Sequence, residues 1–109
     1  MYAFTYERPT SEADALKLAQ AGARPLAGGQ TLLASMKLRL AAPEQLVDLG
    51  AVPELKGIRR EGDALVIGAM TRHCDVAESA EVRAAIPALA ALAGGIGDKQ
   101  VRARGTIGG

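Results

Sequence analysis

Aromatic and threonine residues alternate from Tyr2 to Tyr6 ahead of Pro9, a period of two that predicts a strand. Ser11-Glu12-Ala13-Asp14 has capping-box spacing, with Ser11 as N-cap. Leu16, Ala19 and Ala23 follow at helical spacing, and Gly22 is a natural C-terminal stop. Arg24 to Ala27 reads as a second strand, so strand, helix and strand predict a right-handed βαβ unit with parallel strands. Thr31 is placed to cap a short helix carrying Leu32, Leu33, Met36 and Leu40, which Pro43 ends. Leu46-Val47-Asp48-Leu49 is a third strand, apolar enough to be covered on both faces.

The pattern changes near Gly57. Ile58–Glu61 and Ala64–Ile67 flank Gly62-Asp63, which predicts a hairpin. Thr71 would cap a helical turn through Val76 and Ala77, and Ser79 would cap another. Pro87 stands where N1 prolines stand, opening Ala88 to Ala93, and Gly94-Gly95 terminates that helix. The fold class is therefore α/β (α+β): a small parallel three-stranded subdomain over residues 1–56, then the start of a second α+β subdomain over 57–109.

Composition narrows the picture. A chain of 109 residues is one domain or part of one. Apolar content of 49% fits a globular protein, but alanine supplies much of it and Trp is absent, so each buried side chain contributes little area. Thirteen basic and twelve acidic residues leave a net charge of +1, which argues against a nucleic-acid or membrane partner. One Cys excludes an internal disulfide, and one His with one Cys cannot build a zinc site. The N-terminus carries Glu7 and Glu12 and no long apolar run, so no secretory signal is read there and the expected location is cytoplasmic. No apolar stretch approaches the ~20 residues that span a membrane.

The candidate chemistry lies in two glycine loops. In Pro25-Leu26-Ala27-Gly28-Gly29-Gln30-Thr31-Leu32-Leu33 a short strand runs into paired glycines and then an apolar run able to start a helix. Glycines let the backbone turn sharply and approach a ligand without an intervening Cβ. The amides that follow, with the Gln30 and Thr31 side chains, are donors suited to phosphate oxygens. Gly105-Thr106-Ile107-Gly108-Gly109 is the second such loop, with Arg102 and Arg104 beside it. Other motifs fail on spacing. Gly95-Ile96-Gly97 opens a dinucleotide pattern, but Gln100 stands at the next required glycine, and no G-x-x-x-x-G-K-[ST] occurs. His73 and Cys74 are adjacent, about 100° apart on a helix, so they do not pair as base and nucleophile. Cys74 reads as a small buried side chain and His73 as a surface or capping one. Asp48, Asp63 and Asp98 read as strand-end and turn residues.

Four segments carry a wider resemblance: Ala27–Leu32, Pro53–Ile58, Ile67–Thr71 and Val101–Gly109. In this order and spacing the whole chain resembles the FAD-binding medium subunit of the molybdenum hydroxylases, the group of aerobic carbon monoxide dehydrogenase and the xanthine dehydrogenases. The fold this implies is the N-terminal portion of a PCMH-type, vanillyl-alcohol-oxidase-like FAD-binding domain. The resemblance assigns FAD contact to Ala27, Gly28, Gly29, Gln30, Thr31 and Leu32, and to Thr106, Ile107, Gly108 and Gly109. Ser is more frequent in the family where Thr31 stands, and the hydroxyl is kept; Pro is frequent where Ala34-Ser35 stands. The family also continues past the second loop with an Asn and an acidic-Pro segment, so the loop is expected here as a frayed terminus. The implied function is electron transfer from iron–sulfur clusters through FAD to an external acceptor, beside an iron–sulfur small subunit and a molybdenum-cofactor large subunit. A cofactor-positioning role explains the lack of an acid–base constellation. The alternatives are a truncated scaffold, or an interaction module that does not bind FAD on its own.

Overall fold

Three short strands lie parallel in the first half of the chain: β1 (Thr5–Glu7), β2 (Arg24–Leu26) and β3 (Gln45–Asp48). The computed structural model describes all residues from Met1 to Gly109 and divides them into two compact units, Met1–Glu54 and Leu55–Gly109. In the first unit the strand order is β1-β3-β2. The two strands of the expected βαβ unit are therefore parallel but not neighbours, because β3 is inserted between them. Three residues explain this order. Leu46 and Val47 are consecutive, so they face opposite sides of the sheet, and they are 1% and 0% exposed. Pro25 has no N–H to donate, which suits β2 to an edge. β1 begins at Thr5 rather than Tyr2, since pairing starts where the Thr5 amide meets the Glu44 carbonyl at 2.9 Å. The Tyr2 ring instead lies 5.2 Å from the Arg39 guanidinium carbon, a cation–π contact.

Helix α1 (Glu12–Gln20) starts as the sequence predicts, with the Ser11 hydroxyl accepting the Asp14 amide at 3.2 Å. Helix α2 (Leu32–Lys37) is shorter than the sequence predicts. Arg39 adopts φ +59, the Arg39 amide donates to Met36 and the Leu40 amide donates to Ser35. That is a Schellman ending, so the helix stops well before Pro43 and leaves Leu40 80% exposed.

Asp48 closes β3. Its carboxylate accepts the Gly50 amide at 2.8 Å and the Tyr6 hydroxyl, and faces the Arg8 guanidinium at 3.5 Å. The hydrogen bond to Asp48 raises the Tyr6 phenol above its ordinary value of 10.0. A raised phenol means that the folded unit favours the protonated form. The contact's contribution is therefore complete below pH 10.0 and is lost as pH rises through the raised value. Melting curves across alkaline pH should show this loss in the parent and not in Tyr6→Phe.

The second unit opens with a 3₁₀ turn at its border (Pro53–Leu55) and the hairpin β4 (Ile58–Glu61) and β5 (Ala64–Ile67). Glu61 pairs with Ala64 across Gly62-Asp63, and of these two only Gly62 has positive φ, +58, the pattern of a II′ turn. Helices α3 (His73–Glu78), α4 (Ala80–Ala85), α5 (Pro87–Gly94) and α6 (Lys99–Arg104) follow. Val76, Val82, Ala90 and Ala93 form the core, with Ile58, Leu65, Ile67 and Leu89 packed against it. Ser79 caps α4 through the Val82 amide, and Pro87 is the first residue of α5. Thr71 caps nothing; Arg72 precedes α3 without a side-chain bond. Helix α6 is not among the predicted elements, although Asp98 caps it by accepting the Val101 amide at 2.8 Å. Arg60 is exposed on the hairpin and reaches only the Gly62 carbonyl, at 3.5 Å. Arg60→Ala should change stability by no more than about 0.5 kcal/mol in denaturant titration and leave flavin binding intact. No helix is long and apolar enough to cross a membrane.

Candidate functional site: two glycine loops

The first loop leaves β2 at the carboxyl end of the parallel sheet, the edge where open α/β sheets bind ligands. Gly29 has φ +75. The positive φ favours glycine; a Cβ there would stand 2.7 Å from Leu33 Cδ1, the end of a side chain that can swing aside. The Leu33 amide donates back to the Gly29 carbonyl at 3.1 Å, which fixes the turn. The amides of Gly29, Gln30, Thr31 and Leu32 find no acceptor within the chain. These successive donors are what an acceptor-rich anion requires. Helix α2 has only six residues, so the donors are the loop's own amides and not a long helix dipole. The Gln30 side chain turns back onto the loop, donating to the Gly28 carbonyl at 3.3 Å. Thr31 does not cap α2; its hydroxyl makes no capping bond and the residue is exposed. Ala27, Gly28 and Leu32 are half-buried.

The second loop is built differently. Residues Gly105–Gly108 run antiparallel to Ala69–His73. His73 donates its amide to Gly105 at 3.1 Å, Ile107 to Thr71 at 2.9 Å and Gly108 to Ala69 at 2.8 Å. The Gly109 amide donates to Thr106, whose hydroxyl donates to the Gly109 carbonyl at 2.9 Å. The expectation of a frayed segment is thus corrected: backbone pairing with residues 69–73 ties the loop down. The expectation that its amides form a second phosphate cradle is also corrected, since Ile107, Gly108 and Gly109 spend theirs internally. Gly108 is needed for packing, because a Cβ there would stand 2.6 Å from Ala69 Cβ. What the loop offers is an exposed Ile107-Gly108-Gly109 surface almost free of side chains, above a buried Thr106.

Neighbouring groups fall into structural roles. The Arg102 guanidinium donates through Nη1 to the Ile96 and Gly97 carbonyls at 3.0 and 2.9 Å, a structural role at the start of α6. His73 and Cys74 are both half-buried, so Cys74 is less buried than the sequence reading has it, and His73, read as a surface or capping residue, follows the N-cap Arg72. His73 packs on Gly105, because the first turn of α3 lies against the loop's entry. A cavity of about 340 Å³ in the second unit is lined by Lys56, Ile58, Met70, Thr71, Arg72 and Asp75. Ala69 and Thr71, whose carbonyls hold the second loop, are not site candidates in the sequence, where Thr71 reads as a helix cap. Their segment carried part of the resemblance, but carbonyl acceptors leave no side-chain signature.

The donor set fits the FAD pyrophosphate, which presents acceptors only; four successive amides of the first loop meet no acceptor within the chain. Comparison with known proteins gives the family. Residues 2–109 match the family described as the FAD binding domain in molybdopterin dehydrogenase. The carbon monoxide dehydrogenase medium chain of Hydrogenophaga pseudoflava is 52% identical over 97% of this chain and 38% of its own length. The glyceraldehyde dehydrogenase medium chain of Sulfolobus acidocaldarius is 38% identical over 97% of this chain and 38% of its own. Among solved structures, carbon monoxide dehydrogenase from Hydrogenophaga pseudoflava aligns with TM-score 0.96 and 50% identity, over 99% of this chain and 39% of that one. Quinoline 2-oxidoreductase from Pseudomonas putida 86 aligns with TM-score 0.94 and 35% identity, over 98% and 38%. The chain thus spans less than two-fifths of the length of these relatives. It belongs to the family of FAD-binding domains of the molybdopterin dehydrogenases, and its cofactor is FAD.

Proposed function

We propose that this chain is the N-terminal part of the electron-transferring flavoprotein subunit of a molybdenum-containing hydroxylase or dehydrogenase. The observation that carries the site assignment is the run of unpaired amides from Gly29 to Leu32 at the end of β2. In this reading Ala27, Gly28, Gly29, Gln30, Thr31 and Leu32 hold FAD in the first unit, and Thr106, Ile107, Gly108 and Gly109 contribute in the second. The Gly29–Leu32 amides bind phosphate oxygens and need not be desolvated from other partners first. Thr31 adds an exposed hydroxyl donor. The Ile107-Gly108-Gly109 surface admits the cofactor closely, while the pairing with residues 69–73 keeps that surface in one conformation. When bound, FAD supplies one- and two-electron exchange; the chain supplies position and electrostatic environment.

Relatives of 35–52% identity are named for carbon monoxide, glyceraldehyde and quinoline, substrates with little chemistry in common. That range supports substrate selection outside this chain. The partners in this reading are an iron–sulfur small subunit, which delivers electrons, and a molybdenum-cofactor large subunit, which oxidises substrate. An external acceptor takes the electrons from FAD, and the location is cytoplasmic.

The test is the flavin content of the full-length polypeptide that carries this chain, purified without added cofactor and denatured to release it. One FAD per polypeptide, with the iron–sulfur and molybdenum subunits co-purifying, is the expected result. A flavin-free polypeptide that also fails to take up FAD would overturn the reading in favour of a scaffold or interaction module.

A further inference from the structure

Thr71 is a polar side chain that the cofactor reading leaves without a task. It is only 4% exposed, yet its hydroxyl does not cap α3. It accepts the Gly57 amide at 3.0 Å and donates to the Gly57 carbonyl at 3.2 Å, fourteen residues away. No other acceptor meets the Gly57 amide. Around this pair runs a ladder of backbone bonds. Met70 donates to Leu55 at 2.8 Å and Gly68 to Gly57 at 2.9 Å. On its other edge the same segment receives Gly108 at Ala69 and Ile107 at Thr71. Residues 68–71 are thus the middle rail, with 55–57 on one side and the cofactor loop on the other. The approach is close: a Cβ on Gly68 would stand 2.7 Å from the Leu55 carbonyl carbon and 2.9 Å from the Lys56 nitrogen.

Gly57 has φ +116 and open space where its Cβ would be; the Gly68 amide holds its carbonyl, and its amide meets a side chain alone. That side chain is Thr71, whose hydroxyl is bonded to both the amide and the carbonyl of Gly57. Through its own carbonyl the same residue fixes Ile107. A valine at 71 would keep the shape and lose the hydroxyl, leaving the Gly57 amide without an acceptor. A serine would keep the two bonds.

We propose that Thr71 is a positioning residue for FAD binding, its hydroxyl locking Gly57 so that its carbonyl holds the Thr106–Gly109 loop in register. This rests on the reading of that loop as part of the FAD site. Two measurements on the full-length polypeptide separate the two claims. The first is hydrogen exchange of the Ile107 and Gly108 amides without FAD, which reports the lock alone. Thr71→Val should speed exchange at both amides about tenfold, while Thr71→Ser should exchange as the parent does. The second is FAD titration well below the melting temperature of each variant. Thr71→Val should weaken FAD about tenfold, with rescue by Thr71→Ser. Unchanged exchange in Thr71→Val overturns the lock. Faster exchange with parental FAD affinity overturns the positioning role, leaving a purely structural threonine. A parent that takes up no FAD, with the exchange results as expected, refutes the cofactor reading and with it the positioning role, while the lock stands.

Discussion

Gly29→Val in the full-length polypeptide is expected to weaken FAD by about a hundredfold or more while the fold survives. At φ +75 a β-branched residue is strained by roughly 1–2 kcal/mol, and its Cβ would stand 2.7 Å from Leu33 Cδ1. The Leu33 side chain can give way, but relief of the left-handed φ moves the backbone, and the amides of Gln30, Thr31 and Leu32 move with it. Losing two hydrogen bonds to a charged phosphate, at roughly 1.5 kcal/mol each, gives about that factor. The fold survives because the loop lies at the end of the sheet and the buried Leu46 and Val47 are untouched. Circular dichroism and flavin titration together check this. A variant that binds FAD like its parent would remove the loop from the site.

The second large effect belongs to the core. Leu46 is 1% exposed in the central strand β3, paired with Tyr6 on one side and Arg24 on the other. Leu46→Ala removes apolar surface and leaves a cavity, a loss of about 2–5 kcal/mol. That is a large fraction of the 5–15 kcal/mol typical of a whole domain. Because β2 hangs on β3 alone, loosening β3 also loosens the strand that launches the first glycine loop. Denaturant unfolding should show a lowered midpoint with little change in slope, and flavin affinity should fall with it. An unfolding free energy within about 0.5 kcal/mol of the parent would mean that β3 is not the centre of the first unit.

Much of this was legible in the sequence because the signals were local. Ser11 and Ser79 announce helix starts through bonds to amides three residues on, and Gly62-Asp63 announces its hairpin through one glycine. The three parallel strands also followed from pattern, but their order did not. That order depends on which strand tolerates an edge, and only the proline in β2 hinted at it. The end of α2 was misread because Arg39 adopts a left-handed conformation usually left to glycine, and no spacing rule marks such an arginine. Helix α6 is hidden because Asp98 reads as a turn residue after two glycines, although its side chain is a sound cap.

The site divided in the same way. The first loop could be found from sequence because its glycine is demanded by local geometry. The second loop was visible as a glycine run and in the resemblance, but its construction was not legible. Its amides are consumed by the carbonyls of Ala69, Thr71 and Thr106, and such long-range backbone pairing leaves no mark on side-chain identity. Thr71 shows the same limit: ahead of a helix a threonine reads as a cap, whereas here its hydroxyl serves a glycine fourteen residues upstream.

The most direct test is hydrogen exchange at Gly29, Gln30, Thr31 and Leu32 in the full-length polypeptide, with and without saturating FAD. These amides have no acceptor in the chain, so they should exchange fast without cofactor and slow by about tenfold or more once FAD is bound. FAD bound at full occupancy with these amides still exchanging at the cofactor-free rate would contradict the assignment of the phosphate to the first glycine loop.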